Sequence, residues 1–177
     1  MEVIFIGTYN ESEILSWPEK VCKRVFEEYS KLRSTLFIHY FQDGKKYGYF
    51  RKLFGYEKTT TINNNPVLRL GIIRMLYYLI KLKPSNIHIL NYNRFVVFIY
   101  IVKLFIRVNI IYTLNGIIRH ENKYYNRESF INVIKNIIVE NVIISLSDKI
   151  LYLSNFSMSI LSIYYSINKI KFTKVIN

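Results

Sequence analysis

The stretch Tyr112-Thr113-Leu114-Asn115-Gly116-Ile117-Ile118-Arg119-His120-Glu121 gathers the side chains best equipped for chemistry in this chain. It runs off the end of an apolar segment into a carboxamide, a glycine, a guanidinium, an imidazole and a carboxylate. That set can hold hydroxyl groups and phosphate. The same spacing also suits a loop leading into a helix, with its charges solvated. A second concentration spans Tyr40 to Lys58, where Lys45, Lys46, Arg51, Lys52 and Lys58 alternate with Tyr47, Tyr49, Phe50, Phe54 and Tyr56. Cations with aromatics at a boundary fit an anionic membrane surface, and the same mixture can stack on single-stranded nucleic acid. A loop whose rings simply cover a sheet edge is the third reading.

Other chemistries are missing from the sequence. No G-x-G-x-x-G follows the first apolar run and no Walker loop occurs, so the phosphate-cradling turns of dinucleotide and P-loop sites are absent. His39, His88 and His120 lie far apart with no C-x-x-C nearby, which gives no metal-ligand spacing. Neither a metal nor a cofactor is expected. Cys22 falls on the apolar side of a helix and reads as an inert core thiol. His39 and His88, each inside an apolar run, read as core residues.

These residues need a scaffold, and the alternation of short apolar runs with helical periodicities supplies one. Val3-Ile4-Phe5-Ile6 ends at Gly7, the pattern of a strand buried on both faces. Ser16 and Glu19 form a possible capping box around Pro18, and Cys22, Phe26 and Tyr29 recur at helical spacing. Leu36-Phe37-Ile38 predicts a strand, followed by a long connection with Asp43-Gly44 as a turn signal. Asn65-Pro66 reads as cap and first residue of a second helix running through Leu70, Ile73, Tyr77 and Ile80 to Pro84. Strands are predicted at 87–90, 110–114, 150–153 and 172–176, with helices at 94–106, within 129–144 and at 155–165. Strand and helix alternation implies right-handed parallel crossovers. The expected fold is therefore α/β, an open, mainly parallel sheet with helices on both faces, forming one domain over 1–177. Ligands of such sheets bind beyond the carboxyl ends of the strands, which brings Gly7-Thr8, Tyr40-Phe41, Asn91, Asn115-Gly116 and Ser154 to one edge.

Composition sets the boundary conditions. The chain has 177 residues, half of them hydrophobic, so a proper core is expected. One cysteine allows no internal disulfide, and no stretch has the layout of a signal peptide; a cytoplasmic setting is expected. The uncharged run Ile150 to Asn168 is interrupted by serines, and Phe95 to Val102 is too short to span a bilayer. The formal charge of +13 attracts phosphates on nucleic acid, lipid or substrate, although abundant Asn, Ile, Lys and Tyr also fit an AT-rich coding sequence.

Several short segments, in order, carry a resemblance. They are Gly7-Thr8-Tyr9 after the first strand, Pro18-Glu19-Lys20-Val21 opening a helix, Lys83-Pro84-Ser85-Asn86-Ile87-His88-Ile89, Ile111-Tyr112-Thr113-Leu114-Asn115-Gly116, Ser147-Asp148-Lys149-Ile150 with Ser154, and Lys174-Val175-Ile176-Asn177. Together they span nearly the whole chain, which resembles the N-terminal domain of family-4-type (group 1) GT-B glycosyltransferases of cell-surface polysaccharide synthesis. The resemblance implies retaining transfer of a sugar from a nucleotide-sugar donor to a glycan or lipid-linked acceptor, without metal, at the inner face of the cell membrane. It assigns acceptor contacts to Asn115, Gly116, Arg119, His120, Glu121 and Ser154, and a donor-side loop to Gly7, Thr8 and Tyr9. Lys45, Lys46, Arg51 and Lys52 would form the membrane-surface patch. The family's second, nucleotide-sugar-binding domain is not represented, so this chain by itself is expected to be inactive. Two positions depart from the pattern. Ser16-Trp17 stands where the family has a glycine pair near the donor phosphates, and Asn115 stands where it commonly has His, so hydrogen bonding remains there but proton shuttling does not. The alternative is a non-catalytic basic module docking on anionic membrane or nucleic acid, with nucleic acid the less expected partner.

Overall fold

A computed structural model of the chain describes residues 2–9, 17–41, 47–117, 120–121, 129–152, 154–165 and 172–174. Its strands are β1 (Val3–Ile6), β2 (Leu36–Tyr40), β3 (Tyr56–Ile62), β4 (Asn65–Leu70), β5 (Asn86–Ile89), β6 (Asn109–Leu114), β7 (Lys149–Tyr152) and β8 (Phe172–Lys174). The helices are α1 (Trp17–Leu32), α2 (Tyr49–Phe54), α3 (Ile72–Leu82), a 3₁₀ helix (Arg94–Leu104), α4 (Phe130–Leu146) and α5 (Asn155–Tyr164). The strands form one sheet in the order β3-β4-β2-β1-β5-β6-β7-β8. Only β3 is antiparallel to its neighbour. This is the expected open, Rossmann-like α/β fold.

Both faces of the central strands are covered, which is why β1 is a continuous apolar run, β2 is apolar but for His39, and every residue of both is buried. On one face Phe5 and Phe37 meet Phe26 of α1 edge-on, at 6.1 and 5.1 Å between ring centroids. On the other, Ile4, Ile6, Ile38, Ile87 and Ile89 pack with Met75 and Leu79 of α3, Val96 and Ile99 of the 3₁₀ helix, and Ile143 of α4. Side chains alternate between the two clusters along each strand, as the pleat requires.

The region between β2 and α3 differs from the sequence expectation. Asn65-Pro66 does not start a helix. It begins β4, and the preceding residues form α2 and β3, which pairs with β4 as a hairpin. Asn63 and Asn64 make the two-residue turn with φ of 48° and 62°, a left-handed pair that asparagine tolerates. Pro66 is accommodated because β4 pairs with β2 only from Val67 onward. The carboxamide of Asn65 accepts from Thr35 N at 2.6 Å and donates to the carbonyls of Ser30 and Asn63. It ties the hairpin to the α1–β2 connection, a role that competes with capping.

Candidate functional site at the carboxyl edge

Because β4, β2, β1 and β5 to β8 all run parallel, their carboxyl ends share one edge. The chain builds outward from β1 through β2, then crosses to the far side of β1 to lay down β5. The switch point lies between β1 and β5, where such sheets open a crevice. Gly7 follows β1 directly, and Asn91 lies two residues beyond the end of β5. The Asn91 Nδ2 donates to Thr8 Oγ1 at 2.8 Å. The approach is close, since a Cβ on Gly7 would lie 3.1 Å from Cys22 Sγ and 3.2 Å from Asn91 Oδ1. One strand further, Asn115 Nδ2 donates to the Leu90 carbonyl at 2.7 Å.

Three buried polar atoms have no hydrogen-bond partner among the described residues: Tyr40 OH, Asn91 Oδ1 and Asn115 Oδ1. They belong to the last residue of β2 and the residues just beyond β5 and β6, so the unmet capacity is confined to this edge. A buried acceptor without a donor costs about 1–3 kcal/mol, and the two carboxamide oxygens call for hydroxyl or amine donors.

Beyond β6 and β7 the edge opens into a cleft of about 810 Å³. One wall is Asn115, Gly116, Ile117, His120 and Glu121, and the other is Phe156, Ser157 and Ile160 from the first turns of α5. Ser154 caps α5, its Oγ accepting from Ser157 N at 3.1 Å. The imidazole of His120 lies edge-on to the rings of Phe156 and Tyr164, at 6.4 and 6.2 Å. The Glu121 carboxylate lies over Gly116, where any side chain would collide with it. Partial burial raises the proton affinity of Glu121, the charge of Glu140 raises it further, and His120 opposes both. Glu140 is itself buried on α4 and accepts from Tyr165 OH at 2.6 Å.

Of the acceptor-site residues expected from the sequence, Asn115, Gly116, His120 and Glu121 thus come together in one cleft, with Ser154 at the cap of its second wall. Arg119 lies outside the described residues. In the expected donor-side loop, Gly7 and Thr8 stand at the switch point, while the Tyr9 ring is buried against Phe37 and His39 at 5.7 and 6.2 Å. Cys22 is fully buried and burial pushes its thiol up to about 11, which keeps it protonated. His39 and His88 sit in the α1-side layer, hydrogen-bonded to Thr59 and Thr113. Among the described residues no group of three His, Cys, Asp or Glu is placed to hold a metal ion, and no helix is long and apolar enough to cross a membrane.

In the basic stretch, Lys45 and Lys46 lie outside the described residues. Arg51 lies over the rings of Phe41 and Tyr47, at 5.2 and 5.0 Å, and 3.3 Å from Glu57. A smaller cleft of about 440 Å³ lies at the opposite edge, around Lys103 to Val108 and Asp148. There the Asp148 carboxylate is taken up by Lys103 and by Ile110 N. Internal pairing and the wrong end of the strands count against it as a ligand site.

The fold and the edge define a Rossmann-like α/β protein with a polar cleft beyond the carboxyl ends of its strands. Compared with known proteins, the chain matches no family model, and no curated protein is significantly similar to it.

Proposed function

We propose that the chain is the acceptor-binding domain of a retaining, two-domain glycosyltransferase that moves a sugar from a nucleotide-sugar donor to a glycan, in its lipid-linked form, during cell-surface polysaccharide synthesis. The observation that carries this reading is the cleft where Asn115, Gly116, His120 and Glu121 face α5. A polyol offers hydroxyl donors and acceptors to the carboxamide and imidazole that line it, and the Glu121 carboxylate can both accept from and orient a sugar hydroxyl. Arg119, adjacent in sequence, would meet the acceptor's phosphate. The nucleotide sugar would be held by a second α/β domain closing over this edge, and a lipid-linked acceptor would bring the protein to the inner face of the cell membrane.

The test is sugar transfer by the enzyme carrying both domains. Asn115→Ala and Glu121→Gln are expected to raise the acceptor KM or lower turnover by tenfold or more, and unchanged acceptor saturation and turnover would overturn the site. The 177-residue chain alone is expected to transfer nothing, because the nucleotide sugar would be held by the second domain. A second reading, a non-catalytic basic module, is favoured by the exposed rings and cations of α2 and α3.

A further inference from the structure

The short helix α2 buries none of its residues, although half of them are aromatic. Tyr49 is 79% exposed and Phe50 76%, and the Phe50 ring leans on Phe54 at 5.1 Å. Beside it, α3 starts at Gly71, whose N–H donates to the Gly55 carbonyl and whose Cα presses on the Leu53–Phe54 backbone. On α3 and β3 the rings continue, with Tyr56 stacked on Tyr78 at 6.2 Å and Tyr78 meeting the exposed Tyr77. Arg74 lies over Tyr56 and Lys81 over Tyr77, at 5.6 and 5.8 Å. Arg51, Lys52, Arg74 and Lys81 stand on these two helices, and neither helix contains an Asp or Glu.

We infer that α2 and α3 form a face that docks on an anionic lipid surface. Rings at the headgroup boundary with cations toward the phosphates are the arrangement such a surface favours. The alternatives fit less well. Single-stranded nucleic acid is held by stacking bases on open ring faces, whereas Arg74 and Lys81 each take one face, of Tyr56 and Tyr77 respectively, and Phe50 leans on Phe54. A second copy would bring +13 against +13. The α2 end of this face adjoins the carboxyl ends of β2 and β4, from which α3 runs back along the sheet toward the start of β5. The inference stands on surface chemistry and does not require sugar transfer.

The test uses the whole chain and vesicles free of any sugar, made of phosphatidylcholine alone or with an equal part of phosphatidylglycerol. Flotation at low salt is expected to recover the protein with the anionic vesicles only, and the recovery is expected to fall as salt is raised. Arg74→Glu with Lys81→Glu is expected to weaken partitioning by about 25-fold or more, since one cation near anionic headgroups is worth about fivefold. Tyr49→Ala with Phe50→Ala is expected to weaken it by about tenfold without changing the circular dichroism, as neither side chain is buried. Leu104→Ala with Ile134→Ala, exposed elsewhere, is expected to leave it unchanged. Equal binding to both vesicle types, wild-type binding by the α2 and α3 variants, loss of binding in the Leu104 and Ile134 control, or binding to a single-stranded oligonucleotide in place of vesicles would each overturn the inference. Loss of sugar transfer with docking intact would instead count against the proposed function alone.

Discussion

Lowering the pH from 7 to 5 will destabilise this protein through two histidines that fold in their neutral form. His39 is buried with its Nε2 2.9 Å from Thr59 Oγ1, and His88 lies between Phe5 and Thr113 with its Nε2 2.7 Å from the Thr113 hydroxyl. Burial, with a contribution from the Arg69 cation, pulls His39 down to about 3, and burial alone pulls His88 down to about 4. In the unfolded chain both return to their ordinary value near 6.5. Between that value and the folded ones the unfolded state binds more protons, so stability is full above the window and is lost as pH falls through it. At pH 5 an unfolded imidazole is almost wholly protonated and its folded counterpart hardly at all, which favours unfolding by about 2 kcal/mol per histidine relative to pH 7. The pair accounts for about 4 kcal/mol, a large share of the ~5–15 kcal/mol that typically holds a domain together. Glu121, whose carboxyl is raised, works in the opposite sense, because its folded form gains the proton more readily. The assay is urea unfolding followed by circular dichroism at pH 7 and 5. The comparison is with His39→Gln/His88→Gln, which keeps a polar group beside each threonine. The wild type is expected to lose about 4 kcal/mol and the double variant less than about 1 kcal/mol. Equal losses in the two proteins, or a wild-type midpoint that does not move, would refute the reasoning.

Three further outcomes follow from the packing. Asn65→Ala removes the partner of Thr35 N and of two carbonyls and is expected to cost about 2–4 kcal/mol in urea unfolding, with Asn65→Asp, which keeps only the acceptor, in between. Gly71 has an ordinary φ of −72°, but a Cβ there would lie 2.5 Å from the Leu53 carbonyl. Gly71→Ala is therefore expected to cost about 1–3 kcal/mol by thermal melting, and an unchanged Tm would mean that α2 does not rest on α3 as described. Cys22, fully buried with its thiol held near 11, is expected to react with a disulfide reagent at pH 8 at least about 100-fold more slowly in the native protein than in urea; equal rates would count against its place under α1.

The parallel strands were legible because strands buried on both faces are rich in apolar residues: β1 is wholly apolar, and β2, β6 and β7 carry apolar runs at 36–38, 110–112 and 150–152. The hairpin was not. Residues 56–62 read Tyr-Glu-Lys-Thr-Thr-Thr-Ile, and an edge strand open to solvent on one side needs no apolar run. Asn63-Asn64 carries the turn signal, but Asn65-Pro66 immediately after it also has the form of a helix start. What decides between them is the reach of the Asn65 carboxamide to Thr35, a contact 30 residues away that no local pattern encodes. The cleft was half legible for the same reason. Asn115, Gly116, His120 and Glu121 are near neighbours in sequence, so their meeting requires only a strand end and a turn. Phe156, Ser157 and Ile160 come from a helix some 40 residues on, and the Thr8–Asn91 bond joins loops 83 residues apart. The unmet acceptors depend on atomic geometry that residue types do not carry.

The placement of charge bears on two explanations of the basic composition that the sequence left open. A coding bias toward lysine acts on every element, and α1 shows the result when charge merely solvates a helix. Its cations are interleaved with Glu19, Glu27 and Glu28, and Lys23–Glu27 and Lys31–Glu28 pair at 4.0 and 2.8 Å along its exposed side. Helices α2 and α3 come from the same chain and carry Arg51, Lys52, Arg74 and Lys81 without a single acid. They also hold Tyr49, Phe50 and Tyr77 in water, where ring burial would normally be worth about 1.5–3 kcal/mol each. A bias in codons does not account for the rings exposed beside those cations. The proposed docking on anionic headgroups would account for them, because there the cations would meet phosphates and the rings would no longer face water.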